Sequence, residues 1–444
     1  MTTTSNLTAP SATPAAERPA QSDPGARPAA RRGRIGLIVL GSLAAGLAAA
    51  ALLVVAPLGA ATQGAVTGSV LCGLALGWGM LAILSIRFTD QPQRWAFAPA
   101  LLMGLSGVLL VLFGDAALPV LNWVWPPAML ALSIWMIVRV RRSLNRSRSR
   151  WVLYGVSVLL ALVSVGGGYQ IIGEAADAAA SPMPGQLIDV GDHSLHIHCT
   201  GSGSPTVVME AGGGAMASDL ELVSTAVAGE TRVCLYDRAG RGWSESAQTP
   251  PHGIQIADDL HTLLRRAQVP GPYVLAGHSF GGLYVQTYAA RYPGEVAGMV
   301  LIDSTAPRAA APGYSARPYV MDRVFALVSL TAQLGFGHLF GATARDFRST
   351  IDEYADAGDA VKQAASLTDF GDKPLFVVTA FVGNDASWFD AQDRMAELST
   401  DSVHRIIQGA SHNGLISEPR NAAVTAHAIL DVVASVRSGE PLVR

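Results

Sequence analysis

The strongest candidate for chemistry in this sequence is a serine flanked by glycines, in the pentapeptide Gly277-His278-Ser279-Phe280-Gly281. A serine hydroxyl is a weak nucleophile unless it is held in the open beside a general base. The pattern G-x-S-x-G is typical of a sharp turn from a strand into a helix, which exposes the serine in this way. The residues before the motif have the composition of a buried strand, and those after it have that of a helix. We therefore predict that Ser279 is a nucleophile.

A base for this serine is expected much later in the chain, in the loop after the last strand. The segment 409–413 (GASHN) follows a predicted strand, precedes the final predicted helix and contains His412. A neutral imidazole can take a proton from a hydroxyl near neutral pH. His412 is the predicted base. His278, next to the serine, is expected to point elsewhere and to be structural.

Two aspartates are candidates for the acid that orients the base. Such an acid accepts a hydrogen bond from the imidazole and stabilises the imidazolium. Asp303 ends a predicted strand, whereas Asp385 lies further beyond the next strand, in a loop that leads into a helix. We therefore favour Asp303 and keep Asp385 as the alternative. The aspartate that is not used is expected to be a helix N-cap or a loop carboxylate.

Backbone N–H groups are needed to bind the oxyanion that forms when a serine attacks a carbonyl carbon. One donor is expected from Phe280, the residue after the nucleophile. The other is expected from the glycine-rich loop Ala211-Gly212-Gly213-Gly214, where the absence of side chains lets the backbone approach a substrate. Gly213 is the preferred donor, and Gly212 is the alternative.

The elements that position these residues alternate between strands and helices after residue 185. Eight strands are predicted, at 186–190, 194–199, 205–211, 231–237, 273–279, 296–304, 374–380 and 402–409. The first two are expected to form a hairpin. This alternation predicts a largely parallel sheet covered by helices on both faces, with the site at the carboxyl ends of the strands. Residues 305–370 interrupt the alternation and read as a helical insertion.

The first part of the chain has a different composition. Charged residues make up 15% of the whole sequence, against about 25% in soluble proteins, and the deficit lies in the first 180 residues. A helix needs roughly 20 apolar residues to cross a bilayer. Five such helices are predicted within 34–172, at about 35–58, 64–86, 96–114, 117–138 and 151–172. Pro126 and Pro127 are expected to kink the fourth helix.

The distribution of arginines predicts how these helices are oriented. Arginines precede the first span and lie between the second and third and between the fourth and fifth, whereas the intervening loops have no Lys or Arg. Basic loops stay in the cytoplasm. We therefore predict a multi-pass cell-membrane protein with a disordered cytoplasmic tail at 1–33, a linker at 173–184 and an extracytoplasmic C-terminal unit. Because the spans contain no internal Asp, Glu, Lys, Arg or His, they read as an anchor or accessory unit rather than a transport path.

Together these motifs support a family resemblance. Residues 185–444 resemble the α/β-hydrolase superfamily, through the segments GSGSPTVVMEAGGG, RVCLYDRAGRGWSES, YVLAGHSFGGLYVQTYAARYP, GMVLIDSTAPRA and GASHNG. The arrangement is similar to that of bacterial members with a few membrane helices before the hydrolase domain. The serine distinguishes the chain from dehalogenase and epoxide hydrolase relatives, which have aspartate there. Many relatives have His-Gly before the oxyanion loop, whereas this chain has Ala211-Gly212. An acid at the Asp303 position resembles a subset of the family.

The resemblance implies an eight-stranded α/β-hydrolase domain with a Ser-His-Asp triad that hydrolyses carboxylic esters through an acyl-enzyme, without a cofactor or metal. The expected partners are a small-molecule ester and the lipid bilayer. The net charge of −3 gives no reason to expect nucleic-acid binding. The insertion at 305–370 is expected to cap the site. Two alternatives remain: an amidase, peptidase or acyltransferase on the same triad, and a catalytically silent membrane sensor or scaffold. The sequence leaves the oligomeric state open.

Cysteines and histidines outside the motifs suggest two further features. Cys199 and Cys234 lie in strands that are neighbours in the α/β-hydrolase sheet, so the resemblance and the extracytoplasmic location predict a disulfide between them, with two free thiols as the alternative. His196 and His198 share a strand face, but no acidic or cysteine partner is arranged with them to favour a metal site. Asp237 and Arg238 are expected to hold a loop by an ion pair.

Overall fold

The structure is a computed structural model that describes residues 35–56, 62–144, 147–247, 252–307, 319–332, 337 and 343–443. The predicted tail at 1–33 lies outside the described residues, as do parts of the insertion at 305–370.

In the described residues, five helices are long and apolar enough to cross a membrane: α1 (Ile35–Val55), α2 (Gln63–Phe88), α3 (Phe97–Phe113), α4 (Leu118–Ser143) and α5 (Arg150–Ala180). Their inner surfaces pack around Trp78, Met103 and Met136. The hydroxyl of Ser133 donates a hydrogen bond to the carbonyl oxygen of Met129 in the same helix. A polar group inside a bilayer needs such a partner, because no water is present there to bind it.

Helix α4 is continuous through Pro126 and Pro127, and the kink expected there stays a prediction. One of the five helices differs from the sequence expectation. Helix α5 continues to Ala180, so the connection to the next unit is shorter than the predicted linker at 173–184. The residues Glu-Ala-Ala-Asp-Ala-Ala-Ala that extend it are mostly alanine, which has the highest helix propensity.

The C-terminal unit is built on eight strands in the described residues: β1 (Gln186–Asp189), β2 (Ser194–Thr200), β3 (Thr206–Glu210), β4 (Val233–Tyr236), β5 (Tyr273–His278), β6 (Val296–Ile302), β7 (Leu375–Val382) and β8 (Ser402–Ser411). Their order in the sheet is β1-β2-β4-β3-β5-β6-β7-β8. β1 and β2 form the predicted antiparallel hairpin, and β3 to β8 are parallel. The predicted fold class is therefore confirmed.

The helices of this unit are α6 (Glu221–Ala228), α7 (Gly253–Arg266), α8 (Gly281–Arg291), α9 (Tyr319–Ser329), α10 (Ala344–Ala355), α11 (Ala357–Ala364), α12 (Ala386–Ala396), α13 (Gly414–Ser417) and α14 (Pro419–Ser438). Those outside the insertion cover both faces of the sheet. Side chains alternate along β5, so that Val274 and Ala276 pack in one apolar core while Tyr273 and Leu275 pack in the other. This period of two is what a strand buried on both faces requires. Helices α9 to α11 belong to the insertion.

The predicted disulfide is confirmed. Cys199 in β2 lies directly opposite Cys234 in β4, and the two sulfurs are bonded. The bond fastens the antiparallel edge of the sheet to its parallel part, across a sequence separation of 35 residues.

Candidate active site

Ser279 lies on the turn between β5 and α8. Its φ of +55° is in the left-handed region, which non-glycine residues rarely adopt. The turn is possible because glycines precede and follow it: a Cβ on Gly277 would lie 2.6 Å from the backbone of Gly281, and one on Gly281 would collide with the carbonyl oxygen of Glu210. The strained turn is held by a hydrogen bond from Ser279 N to Ile302 O of 3.0 Å. Such strain is typical of functional sites.

Asp303 directly follows β6, the strand next to β5, and also has a positive φ, of +43°. Its side chain is fully buried. The carboxylate accepts hydrogen bonds from the Ala380 backbone (3.2 Å), the Asn384 amide (3.1 Å) and the Trp388 indole (2.8 Å). Burial alone would raise the pKa of Asp303, but hydrogen bonds from His412, Trp388 and Asn384 outweigh it and hold the pKa below its usual value. The carboxylate is therefore kept ionised in a closed environment.

His412 follows β8 and meets Asp303 from the other side. Its Nδ1 lies 2.6 Å from Asp303 Oδ2. The side chain is 39% exposed, so the ring has one edge on the buried carboxylate and the other toward the surface. A proton on Nδ1 leaves Nε2 as the acceptor. Among the described residues no hydrogen bond joins His412 to the Ser279 hydroxyl, although both residues lie at the carboxyl edge of the sheet.

Asp385 takes the other role that the sequence allowed for it. It is the N-cap of α12, where its carboxylate accepts a hydrogen bond from the backbone of Trp388 (3.1 Å), and it is exposed. The structure therefore brings His412 to Asp303 and not to Asp385.

The expectation that His278 points away from the site is wrong. Its ring centroid lies 4.6 Å from that of His412, and its Nε2 donates to the His412 carbonyl oxygen (3.2 Å). Its Nδ1 is buried and has no partner among the described residues. Burial, together with the neighbouring His412, lowers the pKa of His278 to about 4. His278 is thus a neutral support for the loop that carries His412.

The glycine loop after β3 lies over the turn that carries Ser279. A Cβ on Gly212 would approach Ser279 Cβ to 3.2 Å, and one on Gly213 would approach the Phe280 ring to 3.0 Å. The amide N–H groups of Gly213 and Phe280 donate to no protein group in the described part of the chain. The two predicted oxyanion donors therefore lie on adjoining backbone segments and are available to a ligand.

Two buried arginines hold the carbonyl oxygens of this loop. Arg238 donates to the oxygens of Ala211 (2.8 Å) and Gly212 (2.7 Å), and Arg241 donates to that of Gly214 (3.0 Å). With its carbonyl groups bound on one side, the loop keeps a fixed conformation. Electrostatic stabilisation of an oxyanion depends on such preorganisation.

The charges of these arginines are balanced by two buried glutamates. Arg238 pairs with Glu210 (2.5 Å) and with Glu353 (2.9 Å), and Arg241 pairs with Glu353 (2.8 Å). Glu353 also accepts hydrogen bonds from the Gly214 amide and from Tyr284, both at 2.8 Å. Because Glu353 belongs to α10, the insertion is bound directly to the glycine loop.

Asp237 and Arg238 both form ion pairs, but not with each other. Asp237 lies 2.8 Å from His196 Nδ1, and His196 Nε2 contacts the carbonyl oxygen of Pro184. Both nitrogens of His196 are thus occupied by protein groups. The described residues contain no group of three or more His, Cys, Asp or Glu arranged to hold a metal ion.

Sequence reasoning missed Asn384, Trp388 and Glu353. Asn384 and Trp388 lie on either side of Asp385, the alternative candidate for the acid. Both donate hydrogen bonds to Asp303. Glu353 lies within an amphipathic helix whose charge pattern is that of an ordinary solvated face. No local signal in the sequence distinguishes these three residues.

The lowered pKa of His278 predicts a pH effect on stability. Its pKa is about 4 in the folded chain and near 6.5 when unfolded, so the unfolded chain binds more protons between these values. The free energy of unfolding should therefore fall by up to about 3 kcal/mol as the pH drops from about 6.5 to 4. Urea titrations of wild type and His278→Gln at several pH values measure this, and the difference between the two proteins should shrink at low pH.

Comparison with the variant is needed because other histidines act in the opposite direction. Burial works against protonation of His193 and His196, but aspartate partners outweigh it and raise their pKa values. They occur in both proteins, so their contribution cancels in the difference. Parallel pH profiles for the two proteins would contradict the assignment of a depressed pKa to His278.

A second prediction concerns Glu353. Glu353→Gln leaves two buried arginines with one carboxylate between them, and we expect a loss of about 3–5 kcal/mol in the free energy of unfolding. Glu397→Gln, at an exposed glutamate of the same unit, is the matched control and should change it by less than about 0.5 kcal/mol. Urea titration of the full chain in detergent measures both. Equal stability of the two variants would show that Glu353 carries no such charge balance.

Several known proteins are similar in sequence to parts of this chain. An uncharacterised protein of Schizosaccharomyces pombe is 28% identical over 314 residues, 59% of this chain and 58% of that protein. The 2-(acetamidomethylene)succinate hydrolase of Mesorhizobium japonicum is 30% identical over 131 residues, 30% of this chain and 46% of that protein. The chain thus spans about half the length of these curated relatives.

A solved esterase from Thermogutta terrifontis, with malate bound, has 21% sequence identity and a TM-score of 0.43, and the match covers 56% of this chain and 99% of that one. The profile of the family described as "Alpha/beta hydrolase family" matches residues 195–426, which is just over half of the sequence. The protein therefore belongs to the alpha/beta hydrolase family.

Proposed function

We propose that the protein is a serine hydrolase that cleaves carboxylic esters through an acyl-enzyme, with Ser279 as nucleophile, His412 as base and Asp303 as acid. The observation that carries the proposal is the 2.6 Å contact between His412 Nδ1 and the buried carboxylate of Asp303. It leaves His412 Nε2 as an acceptor at the sheet edge where the turn presents Ser279. If the His412–Asp303 pair had only a structural role, it would not require the strained backbone of Ser279 on the turn after the neighbouring strand.

The reaction follows from these positions. Ser279 Oγ bonds to the ester carbonyl carbon while His412 Nε2 takes its proton, and Asp303 stabilises the resulting imidazolium. The amides of Gly213 and Phe280 bind the oxyanion. The ester C–O bond then breaks, and the alcohol leaves with the proton from His412. Water, deprotonated by His412, releases the acid and restores the serine. Hydrogen bonds of this kind are often long without substrate and shorten when it binds.

Cleavage of a C–N bond by the same residues is the second candidate. It is favoured by the Mesorhizobium relative, which is named as a hydrolase of 2-(acetamidomethylene)succinate. Both candidates use the same nucleophile and differ in the leaving group. Parallel assays with p-nitrophenyl esters and the corresponding anilides separate them.

We further propose that the protein is a multi-pass cell-membrane protein with its hydrolase unit outside the cytoplasm. Two observations support this: the alternation of arginine-rich and arginine-free loops along the five apolar helices, and the Cys199–Cys234 disulfide. Basic loops are retained in the cytoplasm, and disulfides persist in oxidising compartments.

Labelling by a fluorophosphonate probe tests the central proposal. Only an activated serine reacts with such a probe, so wild type should be labelled and Ser279→Ala should not. Fluorescence of the protein band on a gel measures the label. Absence of labelling in folded wild type would favour the silent sensor or scaffold instead.

Substitution of the two aspartates tests the acid. Asp303→Asn keeps the size of the side chain but no longer stabilises the imidazolium, and we expect kcat to fall by about 10⁴-fold. Asp385→Asn is the matched control and should leave kcat unchanged, because asparagine is an equally good N-cap. Ester hydrolysis by both variants gives the comparison. A larger loss in Asp385→Asn than in Asp303→Asn would reverse the assignment.

A further inference from the structure

Helix α9 of the insertion connects the two units of the protein. Ala326, fully buried on α9, packs against Val54 near the end of α1 and Val66 near the start of α2. The same helix packs against α10. The insertion therefore contacts the apolar helices on one side and the hydrolase unit on the other.

The opposite side of α9 exposes large apolar side chains. Met321, Val324, Leu327 and Val328 are 42%, 39%, 42% and 44% exposed. At 100° per residue they fall within an arc of about 120° on the helix, away from the arc that buries Ala326. Exposure of this face to water is unfavourable, because its apolar side chains form a continuous stripe along the helix.

The residues that α9 contacts show where this apolar stripe lies relative to the ends of α1 and α2. Val54 is the second-to-last residue of α1, and Val66 is three residues, or about 5 Å, from the start of α2. At the same level α1 itself exposes Leu52 (68%) and Val55 (43%). Amphipathic helices bind membranes at this depth, with their apolar face about 5–10 Å into the boundary between headgroups and acyl chains.

Helix α10 continues the connection to the candidate site. The Tyr354 ring lies 5.2 Å from the Phe280 ring, and its hydroxyl donates to the Gly213 carbonyl oxygen (3.4 Å). Tyr354 is 57% exposed, and Phe347 on the same helix is 38% exposed. Exposed aromatic side chains thus lie on α10 as well, and one of them adjoins the proposed oxyanion donors.

We propose that the exposed face of α9 lies in the bilayer interface, and that the site takes a membrane-resident ester with a long apolar acyl chain. The occupant of this face is bilayer lipid, because the face continues the exposed apolar surface of α1. The substrate class rests on the proposed function, since the ester must reach Ser279. The exposed apolar side chains of α9 and α10 form the route of the acyl chain from the membrane to the site.

Fluorescence quenching tests the membrane contact independently of activity. Cysteine introduced at Leu327, in a Cys72→Ala background, is labelled with bimane in the full chain reconstituted into phosphatidylcholine vesicles. In vesicles that contain doxyl-labelled lipid, the bimane at residue 327 should lose most of its fluorescence, because the doxyl group quenches it. Leu222→Cys on α6 is the matched control, because Leu222 is 46% exposed, and its emission should not change. Equal emission with and without the quencher at Leu327→Cys would overturn the contact.

Activity tests the substrate class. In vesicles that carry a long-chain ester, Leu327→Asp should lower kcat/KM by about tenfold, as loss of one buried leucine would predict. The same variant should hydrolyse p-nitrophenyl acetate like wild type. Leu222→Asp should match wild type on both substrates. An equal fall on both esters, or none on either, would overturn the proposed route.

The two experiments separate the possible failures. Quenching at residue 327 in a protein without esterase activity would refute the proposed function and leave the membrane contact standing. An active enzyme without quenching at residue 327 would refute the membrane contact and leave the proposed function standing. Emission that depends on protein density and not on quencher lipid would mean that a second copy covers α9, which contradicts the proposal.

Discussion

The hydrogen bond between His412 and Asp303 is the interaction on which the candidate site depends. A carboxylate without exposure is stable only when donors satisfy it, and here the donors come from His412, Trp388, Asn384 and the Ala380 backbone. Ala380 lies in β7, Asn384 and Trp388 follow that strand, and His412 follows β8, whereas Asp303 follows β6. They meet because parallel strands end at the same edge of the sheet. The register of the parallel sheet therefore decides both the position of the histidine and the charge of the aspartate.

A second set of buried charges supports the other half of the site. Arg238 and Arg241 bind the carbonyl oxygens of the glycine loop, and Glu353 balances their charges while it binds the Gly214 amide. Burial raises the pKa of Glu210, and the charge of Arg238 and a hydrogen bond from Tyr236 oppose that rise. Since Glu353 belongs to the insertion, buried charged groups bind the insertion to the glycine loop. A movement of the insertion would therefore also disturb the glycine loop.

The five apolar helices lie outside the region that defines the family, because the matched residues begin at 195. Contact between α9 and the ends of α1 and α2 brings the insertion to the level where the apolar helices end. The same insertion binds the glycine loop through Glu353. In this protein the insertion thus joins the apolar helices to the candidate site, which a cap that only covers a pocket would not do.

The sequence alone determined those features whose causes are local. Alternating apolar runs predicted all eight strands, and the glycines around Ser279 predicted its turn because a Cβ there would strike the backbone. Asp303 and His412 were predicted as site residues because they directly follow strands. The tertiary structure decided what depends on distant partners: the contact of His278 with His412, the binding of Asp303 by Asn384 and Trp388, and the place of Glu353 among two arginines. Glu353 is more than 100 residues from those arginines, so its environment exists only after the insertion has folded onto the sheet.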